Sequence, residues 1–353
     1  MSQLTINNVR IAGMSACVPT TVEDNRTLPI YKEENEALKV IASTGIERHH
    51  KVDDNTTASD LTVKAVEALL TKLGWDAQDL DCFAYVCTSR DFIAPQTACI
   101  LQDRLGLRND CCVFDLPFGC SGWVYGMSIV GSMMSHGTLK RAILVAAETN
   151  TRNRNPRDPS VRPLFGDAAT ATALEFDPDR SRPMNFMYGV DGSGYDAVWA
   201  PYGGIRNPVT VESLEEREVS PGTFRRGVDM IVNGMDVFGF AIKQPPHSLK
   251  ELIATFNIDV ETVDLLLLHQ ANKFIDEKIR KAVKIPAEKT PYCLEEYGNV
   301  TSASIPLTMV TRCGEQLSGT EKHCVACGFG VGLAWASMEF YAGDVKMVDV
   351  LDY

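Results

Sequence analysis

The chain has 353 residues, 45% of them hydrophobic and 23% charged, with a formal net charge of −12. That length and apolar content supply a large core and set one large unit, or two fused halves, as the expectation. The acidic balance repels phosphate backbones and anionic lipid, which argues against nucleic acid and membrane surfaces as partners while leaving room for a local basic docking point for an acidic carrier.

In chain order, residues 1–9 carry no basic segment followed by an apolar stretch, so no signal peptide is expected. Residues 59–73 place Leu61, Val63, Val66, Leu69, Leu70 and Leu73 at helical spacing, and 82–87 is a short β-type run. Residues 96–105 read as a helix, 111–116 as a strand, 121–134 as an apolar helix and 141–147 as a buried strand. Two polar regions, 150–162 and 203–226, read as long loops from a compact body, and such loops are often functional. The run 265–269 is again a strand. No apolar run is long enough to span a membrane. The alternation indicates a layered α/β protein.

One segment repeats. Residues 68–81 align without a gap to 251–264, pairing Leu69 with Leu252, Leu70 with Ile253, Leu73 with Phe256, Asp76 with Asp259 and Asp81 with Asp264. Each copy reads as an amphipathic helix, an Asp-containing turn and a strand. Helix–turn–strand units are common in α/β proteins, but the ungapped length and the paired aspartates favour two similar halves, 1–176 and 177–353.

The 11 cysteines are odd in number and lie largely in apolar runs, which points to reduced thiols in a cytoplasmic protein. Cys120 differs in context. It follows a β-type run and opens the apolar helix, where unpaired N–H groups and the dipole favour a thiolate. Gly119 and Gly122 permit the tight turn. Taken alone, this context leaves a nucleophile and one more buried core cysteine equally open. His269 begins a His-Gln-Ala-Asn run at the C-terminal end of an apolar strand, where open α/β sheets place ligand contacts. Asn299 sits in a Gly-Asn turn rich in Ser and Thr. It is an uncharged donor able to stabilise an oxyanion, although by itself an ordinary turn is the simpler account. His323, Cys324 and Cys327 imitate a metal cluster, but one C-x-x-C in a strand-like run is weak support, and none is expected to bind metal. A dinucleotide loop at 328–335 fails because too little chain follows for a βαβ unit.

Taken together these residues resemble the thiolase superfamily, and within it the ketoacyl-ACP synthase III group. The landmarks run in order: Thr44-Gly-Ile-Glu-Arg48, the Thr88 to Pro95 stretch, Gly119-Cys-Ser-Gly122, Phe165-Gly-Asp-Ala-Ala169, Asp191-Gly-Ser-Gly194, His269-Gln-Ala-Asn272, Gly298-Asn299 with Ser304-Ile-Pro306, and the Gly328 to Trp335 stretch. The resemblance implies a five-layered αβαβα sandwich of two duplicated halves, the first carrying the nucleophilic Cys120 and the second His269 and Asn299. It implies that Cys120 takes an acyl group from acyl-CoA or acyl-ACP, with the backbone N–H groups of Cys120 and Val331 as the oxyanion hole. His269 and Asn299 then stabilise the enolate formed from malonyl-ACP as CO₂ leaves. It further implies substrate contacts from Ala94, Asn272, Lys273, Phe274 and Ser304, an acyl carrier protein partner, a homodimer, and neither metal nor bound cofactor.

The chain departs from the group's pattern at several points. Lys39 and Ser43 stand where a Trp and an Arg grip the CoA adenine. Ala94 replaces a large pocket aromatic, and Lys273 with Phe274 replace a docking Arg. Val331 stands where Gly is usual, a change that keeps the backbone N–H. The departures imply a differently shaped acyl pocket and a specialised role. Three rivals remain: a papain-like protease, an acyltransferase forming an ester or amide without decarboxylation, and a non-catalytic partner subunit of a condensing pair.

Overall fold

Two runs of the same elements follow one another along the chain in the computed structural model, which describes residues 1–353. A leading strand β1 (Ser2–Ile6) precedes the first run: β2 (Val9–Val18), α1 (Ala58–Leu73), β3 (Cys82–Val86), α2 (Thr97–Arg104), β4 (Cys112–Leu116), α3 (Gly122–Met134), β5 (Arg141–Thr149) and β6 (Asp167–Phe176). The second run is β7 (Met184–Val190), α4 (Gln244–Phe256), β8 (Leu265–Leu268), α5 (Lys273–Ala282), α6 (Ser304–Ser318), β9 (Lys322–Gly330) and β10 (Ala334–Ala342). Short strands β11 (Lys346–Met347) and β12 (Leu351–Asp352) close the chain. The second run has no counterpart of β4.

The repeat seen in the sequence is repeated in hydrogen bonds. Helix α1 ends on Gly74 and α4 on Asn257, both left-handed, as a helix C-terminus favours. The carboxylates of Asp76 and Asp259 each accept from the N–H two residues on. The Asp81 N–H donates to the Arg141 carbonyl at 2.9 Å, and the Asp264 N–H to the His323 carbonyl at 2.8 Å. Their carboxylates accept in turn from the Arg141 and His323 N–H groups. The paired aspartates therefore fasten β3 to β5 and β8 to β9, and both strand pairs are parallel.

The first sheet has the order β4–β3–β5–β6–β2–β11, with β12 also on β2, and the second β8–β9–β10–β7–β1. Helices α3 and α6 lie between the sheets and contact both. The largest core cluster fills this middle layer, with Trp123, Met127, Ile305 and Leu307 beside Leu144, Phe186, Leu267 and Phe340. Helices α1 and α2 cover the outer face of the first sheet, and α4 and α5 that of the second. These five layers are the expected αβαβα sandwich. The middle helices touch apolar residues on both sides, which is why the 121–134 run has so little polar face.

The termini are exchanged between the halves. β1 pairs antiparallel with β7 in the second sheet, while β11 and β12 pair with β2 in the first. An expected division at 176/177 therefore leaves each terminus on the opposite side from its neighbours in sequence. On β9, Cys324 faces the middle layer and Cys327 the outer one, as strand alternation over three residues requires. Their thiols cannot share a metal.

Candidate active site

Cys120 stands where β4 turns into α3. The Gly122 N–H donates to the Gly119 carbonyl at 2.8 Å, closing the turn. A side chain on Gly122 would sit 2.4 Å from the Val86 Cγ1, so the start of α3 lies directly on β3. The end of β9 approaches from the other half. A Cβ on Gly330 would lie 2.7 Å from the Cys120 Sγ, so only glycine lets that backbone reach the sulfur.

Burial pushes the Cys120 thiol up to about 11. The backbone N–H groups of Val331 and of Cys120 itself pull the other way, and less strongly. These are the two groups expected to hold an oxyanion, and both lie at the sulfur. Burial therefore works against the thiolate that a helix N-terminus favours.

His269 follows β8, its N–H donating to the Cys327 carbonyl at 2.9 Å. The ring meets Phe329 edge-on, with centroids 5.3 Å apart, and Nδ1 has no protein partner. Burial draws its pKa down to about 3, against a smaller opposing contribution from the Thr301 backbone. The imidazole is therefore neutral at physiological pH. Asn299 precedes α6, the counterpart of α3. Its N–H donates to the Leu164 carbonyl at 2.8 Å, and its Oδ1 accepts from the Thr301 N–H at 2.9 Å. With Oδ1 engaged, Nδ2 is left as the side chain's donor.

Cys120, His269 and Asn299 all line one cavity of about 200 Å³, together with Val331 and Asn272. The duplicated fold does this. Cys120 comes from the start of one middle helix and Asn299 from just before the other, while His269 ends a strand of the second sheet. Asn272 also caps α5, its Oδ1 accepting from the Ile275 N–H at 2.9 Å. Gln270 is structural, bonding the Leu268 carbonyl and the Cys293 N–H.

Four expected substrate residues lie elsewhere. Ala94 is on an exposed loop beside Phe92 and Ile93 and does not line the cavity. Ser304 is fully buried as the first residue of α6. Lys273 is ion-paired with Glu295, so its charge is not free. Phe274 is 52% exposed and stacks on Phe238 at 5.9 Å, outside the cavity lining.

Thr88 and Phe165, which open two of the landmark motifs, also line the cavity, as do Asn150, Arg154 and Met230, for which the sequence carries no separate signal. Asn150 and Arg154 belong to the polar loop 150–162. That loop is tied to the second polar loop by the Arg225 to Asp158 ion pair and by Asn155 to Glu216 at 2.9 Å. Glu148, at the end of β5, is wholly buried. Its carboxylate accepts from the N–H and hydroxyl groups of Thr88 and Ser89. It obeys the rule that drew attention to His269: a polar residue ending an apolar strand.

Two family models match this chain. That of 3-oxoacyl-(acyl-carrier-protein) synthase III matches residues 114–192, and that of its C-terminal region residues 253–341. A beta-ketoacyl-(acyl-carrier-protein) synthase III of Natranaerobius thermophilus is 31% identical over 94% of this chain and 98% of its own. One of Xanthomonas campestris is 32% identical over 93% and 96%. The crystal structure of a 3-oxoacyl-(acyl-carrier-protein) synthase from Burkholderia xenovorans superposes with a TM-score of 0.93 at 31% identity, covering 100% of this chain and 99% of that one.

Proposed function

The chain belongs to the 3-oxoacyl-(acyl-carrier-protein) synthase III family, and we propose that it condenses an acyl group carried on Cys120 with malonyl-ACP. The observation that carries this reading is the meeting of Cys120, His269 and Asn299 in one buried cavity, delivered from both halves of the fold.

In the first step the Cys120 sulfur attacks the thioester carbonyl of acyl-CoA or acyl-ACP, and the thiol proton leaves with the departing CoA or carrier sulfur as the old thioester bond breaks. The backbone N–H groups of Cys120 and Val331 receive the negative oxygen until that bond breaks. Covalent capture divides one difficult transfer into two easier ones. In the second step Asn299 Nδ2 and the His269 imidazole donate to the malonyl thioester oxygen. CO₂ leaves, and the enolate carbon attacks the Cys120 thioester. The 3-oxoacyl-ACP departs and the sulfur regains a proton. Donors already in place for the charge that develops are the main source of acceleration.

A homodimer fits the open edge of β4, with the exposed Phe92–Ile93 loop nearby in sequence. Eleven free thiols fit a reducing, cytoplasmic setting. A specialised pathway rather than housekeeping fatty-acid initiation fits the departures at Lys39, Ser43 and Ala94. Acyl transfer without decarboxylation is the second reading, and the placement of the Asn299 donor in the cavity weighs against it.

Intact-protein mass spectrometry with acyl-CoAs and acyl-ACPs, followed by release of labelled CO₂ from malonyl-ACP, tests the proposal. Native protein gains the acyl mass and then releases CO₂, and Cys120→Ala gains nothing. His269→Ala keeps acylation and loses decarboxylation. Acylation with no CO₂ release from any malonyl donor would overturn condensation in favour of simple acyl transfer.

A further inference from the structure

Arg154 is the only residue lining the Cys120 cavity that carries a fixed charge. It is 6% exposed, and burial lowers its pKa to about 10, so it remains a cation at neutral pH. No carboxylate pairs with it. Its Nη2 donates to the Asn150 Oδ1 at 3.2 Å and its Nη1, weakly, to the Asn153 Oδ1 at 3.4 Å, both neutral, while Nε has no protein partner. The guanidinium lies over the Phe165 ring, 3.5 Å from the centroid, which fixes its plane at the cavity wall. Glu148, the Cys120 sulfur and Asp167 act on it through space, and the carboxylate of Glu148 is taken up by Thr88 and Ser89 and that of Asp167 by Val52 and Thr151. Asn150 is held as well, its Nδ2 donating to the Thr301 Oγ1 at 3.1 Å.

A buried cation without a counter-ion is costly, and one kept in a cavity beside a nucleophile is suited to an anion that arrives with the ligand. Around it the walls are apolar: Leu164, Phe165, Val198, Met230, Val232 and Val237. We infer that Arg154 selects an acyl donor bearing a distal carboxylate, a short dicarboxylic acyl thioester, and that its guanidinium pairs with that carboxylate when the acyl group is on Cys120. The inference rests on the acyl-transfer reading above. In the loading step the Cys120 sulfur forms the new thioester and the CoA sulfur leaves with the thiol proton, while the distal carboxylate is unchanged. The malonyl carboxylate is a poorer candidate. A guanidinium paired with it would stabilise the ground state from which CO₂ must leave, and so oppose the reaction. Arg also has the planar fork that a carboxylate fits.

The test is the rate of Cys120 loading, read by intact mass, with succinyl- and glutaryl-CoA against the carbon-matched butyryl- and valeryl-CoA and with no malonyl donor present. The dicarboxylic thioesters should load faster by roughly 10- to 100-fold, the range set by a hydrogen-bonded charge pair. Arg154→Met should erase that ratio, and Arg154→Lys should keep part of it. Thermal melts of both variants separate lost selectivity from lost fold. If native protein loads butyryl or valeryl groups as fast as the dicarboxylic ones, or if Arg154→Met keeps the ratio, the inference is overturned while acyl transfer stands. If no thioester of any kind labels Cys120, acyl transfer falls, and this inference with it.

Discussion

At the Cys120 sulfur, desolvation and two backbone N–H groups act in opposite directions, and desolvation is the larger. This has a consequence in pH. A thiol raised to about 11 stays protonated through neutrality, so its alkylation by iodoacetamide should keep rising past pH 9 rather than level off there. A plateau near pH 8 would mean the thiolate is stabilised far more than the burial allows. His269 shifts the other way. With its pKa drawn down to about 3, it stays neutral at every pH where the protein is assayed, and the decarboxylation rate should lack an acid limb near pH 6.5. The sign extends to stability. The unfolded chain takes up a proton on this histidine below about pH 6.5, the folded one only near 3, so this group's contribution is lost as pH falls between those values. Glu148 has the opposite sense, since burial raises its pKa and the folded state holds its proton more readily.

The elements that carry the site depend on close backbone approach. Gly330 brings the end of β9 to the sulfur, and the Cβ of Gly330→Ala would stand 2.7 Å from it. Loading of Cys120 should fall by at least about 100-fold, as expected for a displacement of order 1 Å at a reacting atom. Because the change is local, the melting temperature should move little. Gly126 lies one turn into α3, where a Cβ would be 2.7 Å from the Leu144 Cδ1 of β5. Gly126→Ala should instead lower stability by about 1–3 kcal/mol, the usual effect of overfilling a packed layer, read as a lower melting temperature. The contrast separates a glycine kept for chemistry from one kept for helix–sheet packing.

At the scale of the molecule, the first sheet ends on β4 with an unpaired edge, an arrangement that proteins cover or blunt. The Cys112 N–H faces inward to the Asp81 carbonyl, so by strand alternation that of Val113 faces outward. If dimerisation pairs these edges, Val113→Pro removes an outward donor and should shift the protein toward monomer in analytical ultracentrifugation. A dimer of unchanged affinity would place the interface elsewhere. The same scale explains the exchanged termini. β1 and β11 each complete a sheet built mainly from the other half, so truncation at either end should weaken both halves together.

Much of this was legible in the sequence because it is local. The period of apolar residues gave the helices and strands, and the ungapped match of 68–81 to 251–264 exposed the duplication, since equal spacing of Leu and Asp reflects equal hydrogen-bonding duties. Cys120, His269 and Asn299 were recognised through their order along the chain and the family they resemble. Tertiary structure alone decided what depends on surroundings. The protonation of Cys120 and His269 follows from burial, which no spacing reveals. Ser304, Lys273 and Phe274 adjoin the right motifs but do not line the cavity: the first is buried, the second ion-paired with Glu295 and the third stacked on Phe238. Arg154 was one arginine among several in a polar loop. Only the folding of that loop over Phe165 makes it the single charge in the cavity of Cys120.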